Sequence, residues 1–194
     1  MPIRVIAGSA RGLRLKPVPG GASRPVMDRV KEACFNKLGR RVLRARFLDL
    51  FAGTGSVAIE ALSRGAADAV LVERSPRALR TIRENLRLAR VEARARVQRA
   101  EVLAWLRNAP QQGFDLIYIA PPQYRGLWSD TLQAIDEHPG WTCRDTLLVV
   151  QIDPVEKQPL TLQRLAPCDE RRYGNTLLWY FHVPGDEADS AAPD

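Results

Sequence analysis

Beyond residue 46 the chain alternates short apolar runs with longer stretches in which apolar positions recur every three or four residues. The runs at 47–51, 69–73, 114–119 and 147–152 have the length and near-continuous hydrophobicity of strands covered on both faces, and the segment at 96–99 is read as a further strand from its place in the alternation. The intervening stretches at 56–64, 76–89, 102–108 and 127–137 have helical spacing. Strand and helix in regular alternation predict an α/β fold with a parallel sheet. After residue 152 the alternation stops. Two segments, at about 160–165 and 177–182, flank a Pro- and Gly-containing stretch without helical spacing, which predicts an antiparallel pair closing one edge of the sheet.

Ahead of this core, residues 1–27 follow another pattern. Residues 13–16 alternate apolar and basic; with residues 4–7, across a turn holding Gly8 and Gly12, they predict a hairpin with one cationic face. Asp28 is read as the cap of a helix running to about Leu38. Val30, Ala33, Cys34 and Leu38 share one stripe of that helix, and Arg29, Glu32 and Asn36 share another. The expected organisation is a basic extension over 1–27, a main domain over 28–183 and an acidic, disordered tail over 184–194, which holds four acids and no Lys or Arg.

Composition narrows the class. With 194 residues and 45% apolar content the chain can fill a core of its own. It has neither an apolar run long enough to span a bilayer nor a secretory leader pattern, so a cytoplasmic location is expected. Three cysteines without C-x-x-C spacing and two histidines speak against a disulfide framework and against a metal centre. The formal charge is +7, and the first 46 residues alone carry twelve basic side chains against two acids. Arg-rich composition decorating a solvated surface is one reading. The other is a polyanion partner, with Arg4, Arg11, Arg14, Lys16, Arg24 and Arg29 on its phosphates. This segment is expected to supply RNA affinity without forming the small-molecule site.

The most informative stretch is Asp49-Leu50-Phe51-Ala52-Gly53-Thr54-Gly55-Ser56, a strand entering a glycine turn and a helix. Gly53-Thr-Gly55-Ser-Val-Ala58 satisfies the dinucleotide pattern G-x-G-x-x-A, and Glu73 follows at about the distance of the ribose-binding acid. Asp49, however, would repel a pyrophosphate and suits a cation. S-adenosylmethionine, with an ammonium, a sulfonium and no phosphate, fits better than NAD. Glu73 can accept the ribose hydroxyls, and the glycines let backbone N–H groups approach the ligand. The second feature is Ala120-Pro121-Pro122-Gln123-Tyr124 at the end of a predicted strand, a rigid turn followed by a ring able to stack on a flat base.

These residues resemble motifs I and IV of amino-group methyltransferases. Arg4-Val-Ile-Ala-Gly8 with Arg11-Gly12, Arg24-Pro25 with Asp28-Arg29-Val30-Lys31-Glu32 and Phe35-Asn36, and Arg172-Tyr173-Gly174-Asn175 extend the likeness over about residues 3 to 181, to the RsmD family. The resemblance implies a Rossmann-like class I S-adenosylmethionine-dependent methyltransferase sheet with an N-terminal hairpin and helix extension. It implies methylation of the exocyclic N2 of one guanine in 16S ribosomal RNA, free or in an assembling small-subunit particle, by a cytoplasmic monomer that needs no metal. It places the cofactor against Asp49, Phe51, Gly53, Gly55, Glu73 and Glu101, and the chemistry at Ala120, Pro121, Pro122 and Tyr124. The family's acidic or amide side chain at the head of the Pro-Pro motif is replaced here by Ala120. A catalytically silent RNA-binding assembly factor and an N-methyltransferase acting on another substrate are the alternative readings.

Overall fold

Seven strands form the central sheet, in the order β5-β4-β3-β6-β7-β9-β8. The computed structural model describes residues 3–20, 27–108, 110 and 112–184. Five strands are parallel: β3 (Arg46–Leu50), β4 (Asp68–Glu73), β5 (Ala95–Arg99), β6 (Phe114–Ile119) and β7 (Thr142–Ile152). Antiparallel β9 (Thr176–His182) follows β7, and β8 (Ala166–Tyr173) ends that side. The crossover helices are α2 (Ser56–Ser63), α3 (Pro76–Leu88), α4 (Val102–Leu106) and α5 (Leu127–Glu137). One sheet face packs on α2, α3 and α1 (Asp28–Leu38), and the other on α4 and α5. The sheet is Rossmann-like, and its central strands read as near-continuous apolar runs because helices cover both faces.

The extension contributes to the first of these cores. β1 (Ile3–Arg4) and β2 (Arg14–Leu15) form a two-stranded hairpin that pairs Ile3 with Leu15 and Arg4 with Arg14. Ile3, Val5 and Leu15 are buried in the α1–α2 core, while both arginines face water.

Three expectations need correction. Asp28 does not cap α1. It is the first helical residue after Met27, and its carboxylate accepts Arg4 Nε at 2.8 Å. Residues 160–165 do not form the edge strand. The N–H groups of Gln163, Arg164 and Leu165 donate to the Asp136 carboxylate at 2.6 to 2.8 Å, so the segment is tied to the end of α5, and pairing with β9 begins at Ala166. The true edge strand, Ala-Pro-Cys-Asp-Glu-Arg-Arg-Tyr, is polar on both faces and carries no periodic signal. β7 starts at Thr142 rather than 147, because its first residues extend past the core and are polar. Arg24 and the tail from residue 185 lie outside the described residues.

Candidate active site

Consecutive crossovers lead from β3 outward to β4 and β5, whereas β6 and β7 lie on β3's other side. The carboxyl ends of β3 and β6 therefore flank the switch point, where sheets of this type open a crevice. Ala120 N–H donates to Leu50 O at 3.4 Å and closes the seam between the strands. A cavity of about 710 Å³ opens above it, a volume suited to a cofactor-sized ligand. Residues 51–54 after β3, Glu73 at the end of β4, Glu101 after β5 and residues 120–123 after β6 line it.

Asp49 is only 2% exposed and sits in the cavity wall. Its Oδ2 accepts Ala58 N–H at 3.2 Å, in the first turn of α2. That N–H is one of the donors with which a glycine-loop helix binds pyrophosphate; here a carboxylate of the protein itself takes it. Burial pushes the carboxyl up to about 7, against the Ala58 hydrogen bond and with a smaller upward push from Glu73. Glu73 bridges two loops, accepting Gly53 N–H at 3.0 Å through one oxygen and Ser75 N–H at 2.8 Å through the other. Its remaining lone pairs face the cavity that it lines. Glu101 lines the cavity while capping α4, accepting Leu103 and Ala104 N–H at 3.1 and 2.8 Å.

The two glycines divide their work. Gly53 lines the cavity, whereas Gly55 is absent from its wall. Gly55 stands at φ 76, and a Cβ there would meet Leu71 Cδ2 at 3.2 Å and Ile82 at 3.5 Å, so it serves close packing behind the loop. Phe51, a non-glycine residue held at φ 65, presents to the cavity and packs on the α4–α5 core.

On the other half, Ala120, Pro121, Pro122 and Gln123 line the cavity above Tyr118 and Gln151, which are joined by a hydrogen bond from the phenol to the Gln151 amide oxygen. Among the described residues, no backbone N–H donates to the carbonyls of Ala120 or Pro121. Tyr124 is not in the wall. It is 66% exposed at φ 61, its N–H donates to Glu156 at 2.7 Å and its hydroxyl to Asp153 at 2.9 Å. Asp153 and Glu156 follow β7 and hold each other in a capping box. Sequence reasoning passed over Tyr118, Gln151, Asp153 and Glu156. The first two read as strand residues; the last two are brought to Tyr124 only by the β6–β7 pairing.

Arg4, Arg11, Arg14, Lys16 and Arg29 are exposed. Two of them are ion-paired at the surface, Arg4 with Asp28 and Lys16 with Glu84. The N-terminal segment also reaches the cavity, where Val18 forms part of the wall. Asn85 also ties Lys16 to the glycine loop, accepting Lys16 N–H at 2.8 Å and donating to Lys16 O and Thr54 O, each at 3.0 Å. Among the described residues, no group of His, Cys, Asp and Glu is placed to hold a metal ion, and no helix is long and apolar enough to cross a membrane.

The family model described as "Conserved hypothetical protein 95", that of the RsmD family, matches residues 3–182. The chain belongs to that family. Among its relatives is the protein named "Ribosomal RNA small subunit methyltransferase D" of Escherichia coli (strain K12), 36% identical over 152 residues that cover 77% of this chain and 74% of that protein. The YlbH protein of Bacillus subtilis (strain 168) is 36% identical over 176 residues, 90% of this chain and 95% of its own. Of the solved structures, the yhhF protein of Escherichia coli superposes with a TM-score of 0.84 at 29% identity, covering 96% of this chain and all of that one. The family match spans both halves of the cavity and the hairpin that braces it.

Proposed function

We propose that this chain transfers a methyl group from S-adenosylmethionine to the exocyclic N2 of a guanine in small-subunit ribosomal RNA. The observation that carries the reading is a single cavity joining a buried carboxylate at a glycine loop to a Pro-Pro turn at the switch point. Asp49 would face the cofactor's cationic end and Glu73 its ribose, with Phe51, Gly53 and Glu101 completing the wall. Bound there, the cofactor supplies a methyl group carried on a positively charged sulfur. Family membership, and the name borne by the Escherichia coli relative, support ribosomal RNA as the substrate.

A guanine amine is a poor nucleophile because its lone pair is delocalised into the ring. Acceptors on its N–H groups localise that pair, and with alanine at position 120 the task falls to the main-chain carbonyls of Ala120 and Pro121. Pro121 and Pro122 fix the backbone that carries them. Tyr124, held at both ends by Glu156 and Asp153, is the platform for the base. Incubation with methyl-labelled S-adenosylmethionine and small-subunit RNA or particles from a strain lacking the family's enzyme, followed by mass mapping, tests the reading. N2-methylguanine at one position is expected; label on protein or on small molecules alone would refute it.

One observation favours the silent-binder alternative: Ala120 offers no side-chain acceptor. The two readings part at a pair of variants. If carbonyls suffice, Tyr124→Ala lowers kcat/KM by about ten- to a hundredfold through lost stacking of about 1–3 kcal/mol, while Ala120→Asp maintains or raises turnover. A wild type without turnover that gains it in Ala120→Asp would establish the silent binder.

A further inference from the structure

Besides the basic N-terminal segment, a second cationic surface lies elsewhere. Between residues 74 and 90 there are six arginines, Arg74, Arg77, Arg80, Arg83, Arg87 and Arg90, against a single acid, Glu84. All six are exposed. Arg77, Arg80, Arg83 and Arg87 recur every three or four residues, which puts them on the outer side of α3, opposite buried Leu79, Ile82 and Leu86. Glu84 is engaged by Lys16 at 3.0 Å.

Helix stability does not account for the row. Like charges three and four residues apart cost a helix about 0.2–0.5 kcal/mol a pair, and Arg77 stands in the first turn, where the helix dipole disfavours a cation. Nor do these arginines brace the fold. Arg94 does, donating to Ala66 O at 2.7 Å and Leu62 O at 3.0 Å. Among the described residues, no carboxylate comes within ion-pair distance of the six, and their guanidiniums donate to no protein acceptor.

The row also has a direction. Arg74 lines the cavity, and a nitrogen of Arg77 lies 3.4 Å from where a Cβ on Gly20 would stand. Farther along α3, Lys16 of the hairpin segment lies against Glu84 and Asn85. The arginines therefore run from the cavity mouth along the hairpin segment. At 1.5 Å per residue, Arg77 to Arg87 span about 15 Å, a length over which one strand presents more than one phosphate.

We propose that the outer face of α3 is a phosphate-binding track for the RNA substrate, running away from the cavity mouth. It rests on the RNA reading above and adds a surface to it. A flexible, five-donor guanidinium every turn fits a phosphodiester backbone and carries no sequence information, so this track positions RNA and does not select it.

The test is a triple substitution, Arg80→Glu with Arg83→Glu and Arg87→Glu, beside the charge-preserving lysine triple. The affinity of the full chain for labelled small-subunit ribosomal RNA is measured between about 50 and 200 mM salt. The glutamate triple is expected to weaken binding at least tenfold and to flatten the log–log salt slope by about 2–3, since each lost phosphate contact removes about 0.7–0.9. The lysine triple retains most of the slope, and cofactor affinity and melting temperature stay at wild-type values in both. An unchanged slope and affinity in the glutamate triple overturns the track while leaving methyl transfer standing. A wild type that binds RNA through this face but transfers no methyl group overturns the function and leaves the track. Loss of affinity for an acidic protein, with RNA binding intact, also overturns it.

Discussion

Replacing Glu60 by alanine is expected to cost about 3–5 kcal/mol of folding free energy, the magnitude for breaking a buried ion pair by removing one partner. The Glu60 and Lys31 side chains are both fully buried, 3.4 Å apart. Glu60 also accepts Ile6 N–H at 2.8 Å, Ala7 N–H at 3.0 Å and Arg64 Nε at 2.7 Å, while Lys31 donates to Arg4 O at 2.5 Å. Burial holds the Lys31 ammonium below its ordinary pKa, and Glu60 is the main force restoring it. Without Glu60 the ammonium has no buried counter-charge and two hairpin N–H groups lose their acceptor. Urea denaturation of Glu60→Ala, with Glu60→Gln as an intermediate case, measures the loss. A cost below about 1 kcal/mol would mean that water reaches the pair and that the hairpin is not anchored through it.

This network shows where sequence reasoning stops. Lys31 in α1 and Glu60 in α2 lie 29 residues apart, and each has an opposite charge one helical turn away, Asp28 and Arg64, so spacing in the chain reads both as members of solvated helix faces. Only the packing of the hairpin across both helices buries them. The same packing explains the motif around Gly8. At φ 87, a Cβ on Gly8 would stand 1.9 Å from Ser63 O, so the Arg4-to-Gly8 stretch is a docking strip on α2 as well as a cationic edge.

The parallel core was legible because strands covered on both faces leave near-continuous apolar runs, and β6 and α5 begin and end where the periodicity does. The edge was not legible. β8 is exposed along most of its length, and what holds its approach is the Asp136 carboxylate on three successive N–H groups. The cofactor half of the site could be read, since Asp49, the glycine loop and Glu73 belong to one strand-turn-helix-strand unit. The substrate half could be read only in part. Tyr124 takes its geometry from Asp153 and Glu156, about 30 residues away, at a distance that sequence spacing does not encode.

Affinity for S-adenosylmethionine is expected to fall as the pH drops below about 7, because Asp49 binds a cation only when ionised and burial has raised its pKa to about 7. Each pH unit below that point should cost up to about tenfold. Above about 8 the ligand's own α-amino group begins to lose its charge, so the profile bends down again. Asp49→Asn keeps an oxygen for the Ala58 N–H but removes the charge; it should bind about ten- to a hundredfold more weakly at pH 7.5, the worth of a charged hydrogen bond of about 1.5–3 kcal/mol, and lose the acid limb. Folding responds in the opposite sense. With its folded pKa raised, Asp49 binds more protons in the native chain than in the unfolded one between the ordinary carboxylate range and about 7, so it erodes the ligand-free protein's stability as the pH rises through that window. Asp49→Asn should therefore melt higher than wild type at pH 8 without ligand and gain less on adding it. Calorimetric titration and thermal melts across pH 5.5 to 8.5 measure both. A wild-type affinity flat through pH 7, or an asparagine variant that binds as tightly as wild type, would show that Asp49 serves the α2 turn alone and that the cation is held elsewhere in the cavity.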